Sequence, residues 1–109
     1  MLTKEELPEC PVATTVQLIG NKWKLLILRN LFFNDAQRFT DFVKTIPAIS
    51  KKVLTDNLRA LESDGLISRE VFAEVPPRVV YSLSDLGKSL SPIIAAMRDW
   101  GENYKNNIN

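Results

Sequence analysis

Histidine is absent from these 109 residues, and there is one cysteine, Cys10. Without histidine the usual general base is missing, and the chain lacks the ligand set that a zinc site needs. A Cys–His nucleophile is excluded for the same reason. A lone cysteine cannot close an internal disulfide. Glycine is sparse, at four residues, and no glycine-rich loop is present to cradle a phosphate. No catalytic residue, metal or cofactor is therefore expected. Long apolar runs are missing as well. The longest, residues 25–28 and 93–97, fall far short of the roughly 20 residues that span a bilayer. The first residues carry Lys4, Glu5 and Glu6 and no apolar leader, so the expected compartment is the cytoplasm, away from any membrane. Charge of one sign is also not in excess, since the net charge is only +1.

What is present fits one folded domain over residues 1–109. Its 45% hydrophobic and 25% charged residues are ordinary for a globular chain and too apolar for a disordered one. Pro11 suits the first position of a helix, and Val12, Val16 and Ile19 give it an apolar stripe that stops at Gly20. Residues 1–20 thus read as an N-terminal arm. A second helix, from about Lys22 to Phe33, is apolar nearly all round and should form the centre of the core. After a loop at 34–37, Phe39, Phe42, Val43 and Ile46 recur at helical spacing until Pro47 ends the pattern. Pro47, Ala48 and Ile49 make a turn. Ser50 then caps a helix carrying Leu54, Leu58 and Leu61, which stops at Asp64 and Gly65. Two short helices joined by a tight turn, over residues 39–63, are a helix-turn-helix candidate.

Beyond Gly65 the period shortens to two. Residues 66–72 read as a strand and 79–83 as its return, a hairpin (66–83) whose tip is stiffened by Pro76 and Pro77. A single long helix over 84–105, capped by Ser84 or Asp85, should follow, with Leu86, Leu90, Ile93, Ile94, Met97 and Trp100 on its apolar side. The expected fold class is mainly α with a two- to three-stranded wing, a winged helix-turn-helix.

Charge distribution adds a direction. Residues 38–59 hold Arg38, Lys44, Lys51, Lys52 and Arg59 against Asp41 and Asp56, whereas residues 60–75 hold Arg69 against Glu62, Asp64, Glu70 and Glu74. At about 100° per residue, Lys52, Thr55, Asp56 and Arg59 lie opposite Leu54, Leu58 and Leu61, with Lys51 on the flank. Lysine makes point-charge phosphate contacts, threonine bonds base edges or phosphate, and arginine forks onto guanine or phosphate. The free amides near Ser50, Lys51 and Lys52 also suit a phosphate. Asp56 either accepts from a cytosine amine, orients Lys52 or Arg59, or repels wrong sites. A lysine-bearing helix is equally a plain solvated surface, and what raises the DNA reading is its combination with turn, cap and wing. Arg78 near the hairpin tip reaches a minor groove or a phosphate, or is simply solvated.

At this point the sequence resembles the HxlR family of bacterial regulators, relatives of the MarR type. The resemblance runs from Cys10 to Gly101. It rests on Cys10-Pro11, Ile19-Gly20-Asn21-Lys22-Trp23, Arg38-Phe39, Ile49-Ser50-Lys51-Lys52-Val53-Leu54-Thr55 and Leu61-Glu62-x-Asp64-Gly65-Leu66-Ile67. Val75-Pro76-Pro77-Arg78-Val79-Val80-Tyr81-Ser82-Leu83-Ser84, Gly87 and Trp100-Gly101 continue it. The resemblance implies a sequence-specific regulator that binds a double-stranded, pseudo-palindromic operator as a homodimer. Its DNA-binding residues would be Arg38, Ser50, Lys51, Lys52, Thr55, Arg59 and Arg78. It also implies a dimer interface of N- and C-terminal helices, which suits the surplus apolar surface on Leu90, Ile93, Ile94, Met97 and Trp100. Some relatives sense oxidants or electrophiles through a cysteine at the place of Cys10. The positive end of a helix favours a thiolate there, whereas a buried cysteine would be inert. A small-molecule or oxidant effector is thus part of the expectation. The competing function is a winged-helix protein-interaction module that never touches DNA.

Overall fold

A computed structural model of the chain describes residues 2–108. After a short 3-10 turn at Lys4–Glu6, the helices α1 (Pro11–Ile19), α2 (Lys22–Phe33), α3 (Phe39–Thr45) and α4 (Lys51–Ser63) follow in order. Strands β1 (Ile67–Phe72) and β2 (Arg78–Leu83) come next, then α5 (Asp85–Lys88) and α6 (Ser91–Asn107). The core gathers around α2. Ile27, Leu28 and Leu31 from α2 meet Phe42 and Ile46, the α4 residues Leu54, Leu58 and Leu61, and Leu66 and Ile67, all buried. A helix with apolar residues on most sides is buried on most sides, as its composition requires. Its one buried polar residue is satisfied. The Asn30 Nδ2 donates to the Thr45 hydroxyl, which donates onward to the Asp41 carbonyl, and the Arg29 guanidinium donates to Asn30 Oδ1 at 2.9 Å.

The wing is a two-stranded antiparallel sheet registered from Ile67 opposite Leu83 to Phe72 opposite Arg78. Gln37 adds a single bridge on the far edge of β2, exchanging backbone hydrogen bonds of 2.9 and 2.8 Å with Tyr81. Gln37 stands two residues before the first residue of α3, so this bridge fixes the helix-turn-helix against the wing.

Three expectations need correction. The single helix over 84–105 is two helices, α5 and α6, separated at Ser89 and Leu90. Ser84 caps α5 by accepting from the Gly87 N–H at 3.0 Å. Pro92 lacks the N–H that a continuous helix would use, and restarts the chain as the first turn of α6. Val43, expected on the buried stripe, is exposed, because α3 has only seven residues and buries Phe42 alone. The strands begin at Ile67 and Arg78, not at 66 and 79.

At Gly65 and Gly87 the geometry requires glycine. Gly65, at φ 75°, ends α4 in the left-handed region. Its N–H reaches the Glu62 carbonyl and the Leu66 N–H reaches the Leu61 carbonyl, a complete Schellman closure. Gly87 lies where a Cβ would stand 2.0 Å from the Leu66 carbonyl oxygen. Backbone cannot yield as a side-chain tip can, so Gly87→Ala should lower unfolding stability by about 1–3 kcal/mol. Urea titration of both proteins checks this, and an unchanged midpoint would show that α5 can move away from the Leu66 carbonyl without cost.

Candidate nucleic-acid interface

The turn between α3 and α4 is pinned at both ends, since Ile46 and Ile49 are buried. Between them Ala48 takes φ 63°, the left-handed region that a small residue tolerates best. The Ser50 hydroxyl accepts from the Val53 N–H at 3.1 Å and opens α4. A second device fixes the other flank. Asn57 Nδ2 donates to the Val53 carbonyl at 2.7 Å, and its Oδ1 accepts from Asn21 Nδ2 at 3.0 Å. Asn21 in turn caps α2 by accepting from the Lys24 N–H at 2.8 Å. Helix α4 is thus tied to the first residues of α2. Asn57 carried no signal in the sequence, where it looks like any polar residue on a helix. Asn21 stood in the family motif, but its contact with α4 is set by tertiary packing.

With Leu54, Leu58 and Leu61 turned inward, the outer side of α4 presents Lys51, Lys52, Asp56 and Arg59, all exposed, while Thr55 is half-buried. Lys52 Nζ lies 2.8 Å from Asp56 Oδ2, one helical turn on. This hydrogen bond, and then the charge of Asp56, raises the Lys52 pKa above its ordinary value. Of the three roles open to Asp56, the one occupied here is orienting Lys52. The lysine side chain keeps 85% of its exposure in the pair, so a phosphate meets no steric obstacle. Among the described residues, Lys51 and Arg59 have no ion-pair partner.

The remaining predicted residues flank this face differently. Arg38 is exposed just before α3, and its backbone N–H donates to Asp41 at 2.8 Å. Arg78 does not project from the wing tip. Its guanidinium lies over the Phe72 ring at 4.0 Å from the centroid and pairs with Glu74 at 3.4 Å. Tyr81 sits between wing and core, its ring edge-on to Phe42 with centroids 6.1 Å apart. Burial pushes the Tyr81 phenol above its ordinary value against the opposing pull of Arg69.

At the amino end, Cys10 is exposed and free, immediately before α1. Of the residues expected at a dimer seam, Leu90 and Ile94 are half-buried against their own core, whereas Ile93, Met97 and Trp100 face outward. Trp100 stacks on Tyr104 at 5.4 Å with both rings open to solvent. Val12 and Val16 on α1 are likewise exposed. The radius of gyration, 15.2 Å, exceeds the about 13 Å of a compact chain this long. The apolar arms extend instead of folding back.

A family model described as HxlR-like helix-turn-helix matches residues 18–109. The chain belongs to the HxlR-like helix-turn-helix family. It is a transcriptional regulator of the helix-turn-helix type and not an enzyme, and its neighbours share its winged fold. An HTH-type transcriptional regulator of Bacillus subtilis, YdeP, is 46% identical over 106 residues, covering 97% of this chain and 82% of YdeP. One from Methanothermobacter thermautotrophicus is 49% identical over 96 residues, covering 87% of this chain and 72% of the relative. The solved structure of the redox regulator HypR in its oxidized form superposes with a TM-score of 0.82 at 42% identity, covering 86% of this chain and 96% of HypR. Among the described residues of this HxlR-like chain, no helix is long and apolar enough to cross a membrane.

Proposed function

We propose that this HxlR-like regulator, residues 1–109 acting as one domain in the cytoplasm, binds double-stranded DNA sequence-specifically as a homodimer. The observation that carries the reading is the outer side of α4. It offers Lys51, Lys52 and Arg59 together beside a capped helix start, on a rod braced from behind by Leu54, Leu58 and Leu61. Lys51 and Lys52 serve phosphates, Thr55 and Arg59 serve base edges, and Ser50 and Arg38 flank the backbone contacts. Arg78 joins them from the wing once it exchanges Glu74 for a phosphate. The partner copy docks along Ile93, Met97, Trp100 and Tyr104, with Val12 and Val16 of α1 supplying the matching apolar surface. Two reading helices related by a twofold axis then address the two halves of a pseudo-palindromic operator.

Cys10 gives the regulator an oxidant response. With one cysteine per chain, a disulfide joins the Cys10 sulfurs of two subunits or ties Cys10 to a small thiol. Two protons and two electrons then pass to the oxidant, as when a diazene becomes a hydrazine. The likeness to a redox regulator of 42% identity supports this reading.

Three measurements test these statements. Operator affinity, measured against salt in a shift or anisotropy assay, should fall for Lys51→Ala and Lys52→Ala on every sequence. Each substitution should flatten the log–log salt slope by about 0.9. Arg59→Ala should instead relax discrimination at one base pair by about 1–3 kcal/mol. Unaltered affinity and slope in all three variants would remove α4 from the interface. Trp100→Asp should convert the dimer into a monomer by light scattering and abolish tight operator binding, and a dimer that survives it places the seam elsewhere. Diamide should change operator affinity by about five-fold or more, and Cys10→Ser should be unresponsive. Equal responses of the two proteins would sink the cysteine's role.

A further inference from the structure

A cleft of about 430 Å³ opens between α2 and α6, a size that suits a small molecule. Its walls are apolar, with Leu26 and Phe32 on α2 and Ile94 and Met97 on α6, but two arginines, Arg29 and Arg98, are also among its lining residues. No carboxylate is among the lining residues. Arg29 is half-buried, and its Nε and Nη2 both point to one neutral acceptor, Asn30 Oδ1, at 3.3 and 2.9 Å. Among the described residues no carboxylate lies within ion-pair distance of it, whereas Arg98 has Asp99 at 3.3 Å. The site therefore holds one uncompensated positive charge, with donors still unused on Arg29, inside apolar walls.

A half-buried cation lacking a counter-charge favours an anion that brings its own apolar body. We infer that the α2–α6 cleft is a binding site for an amphipathic monocarboxylate, whose head meets Arg29 and whose apolar part lies against Leu26, Phe32, Ile94 and Met97. One net positive charge matches a single carboxylate better than a dianionic phosphate. This face of α6 is distinct from the proposed dimer seam. At about 100° per residue, Ile94, Ala95 and Arg98 share one side, while Ile93, Trp100 and Tyr104 share another, with Met97 on the border. The site goes beyond the DNA reading and stands without it, because its test measures ligand binding alone.

The probes are decanoate and its neutral counterpart 1-decanol, titrated into the full chain by calorimetry. Decanoate should bind about ten-fold or more tightly than decanol, the increment expected of a charge-assisted contact. Arg29→Gln should erase that preference, and Arg29→Lys should retain part of it, with thermal melts showing both variants folded. Equal affinities for the two probes, no heat from either, or an undiminished preference in Arg29→Gln would each overturn the proposal. Decanoate binding seen only after dilution into monomers would assign the cleft to the second copy instead, and would likewise overturn it.

Discussion

Leu54, Leu58 and Leu61 sit on one stripe of α4, and all three are buried in the core that gathers around α2. Removing any one would leave a cavity costing about 2–5 kcal/mol, a large share of the 5–15 kcal/mol that typically holds a domain together. The constraint has a second face. Once this stripe is inward, the angle between residues puts Lys52, Asp56 and Arg59 outward, and no separate interaction is needed to present them. The cationic side of the rod is the geometric complement of its packing, which is why a chain with a net charge of only +1 can still carry a concentrated positive edge.

Rotation about its own axis is fixed by leucine, but where the rod lies relative to the rest of the protein is fixed by polar and backbone detail. Asn57 links it to Asn21 at the start of α2, and the Gln37–Tyr81 bridge holds the start of α3 to the wing. Gly87 lets α5 approach the Leu66 carbonyl closely enough to close the far end. Hydrophobic burial is non-directional, so without such directed contacts the same core would tolerate a small slide of α4. Such a slide would shift Arg59 and the exposed side of α4 relative to the rest of the fold.

This division explains what could be read from the sequence. Periodicity reports which side of an element is buried, so the ends of α1 and α2, the Ser50 cap, the α4 stripe and the hairpin were legible, and the exposed lysines followed from them. Periodicity says nothing about partners far along the chain, so Asn57 passed as ordinary surface and Gln37 as loop. The C-terminal segment misled for another reason. Leu86, Leu90, Ile93, Ile94 and Met97 keep helical spacing straight through the break at Ser89 and Leu90, while the interruption is written in Pro92, a backbone property that a hydrophobic pattern ignores. Arg29 was hidden by its neighbours. In a helix apolar on nearly every side, its few cations read as exceptions to the pattern, and only the fold shows that Arg29 lines a cleft.

The break at Ser89 and Leu90 has consequences for how α6 is used. A single helix running on from Ser84 would have its direction dictated by α5 and the wing. The turn frees α6 to set its own direction, so that Leu90 and Ile94 anchor it to the core while Ile93, Met97, Trp100 and Tyr104 remain outside. An exposed, stacked Trp–Tyr pair together with Met97 and Ile93 is costly to leave in water, since each large side chain contributes about 1.5–3 kcal/mol on burial. Such a surface, on a chain with a radius of gyration of 15.2 Å, suits the proposed burial against a partner. A second copy satisfies this with the fewest assumptions, because a twofold axis brings the same patch to both sides of the contact. That symmetry is also the one a pseudo-palindromic operator would require of two α4 rods, so one docking event would serve both needs.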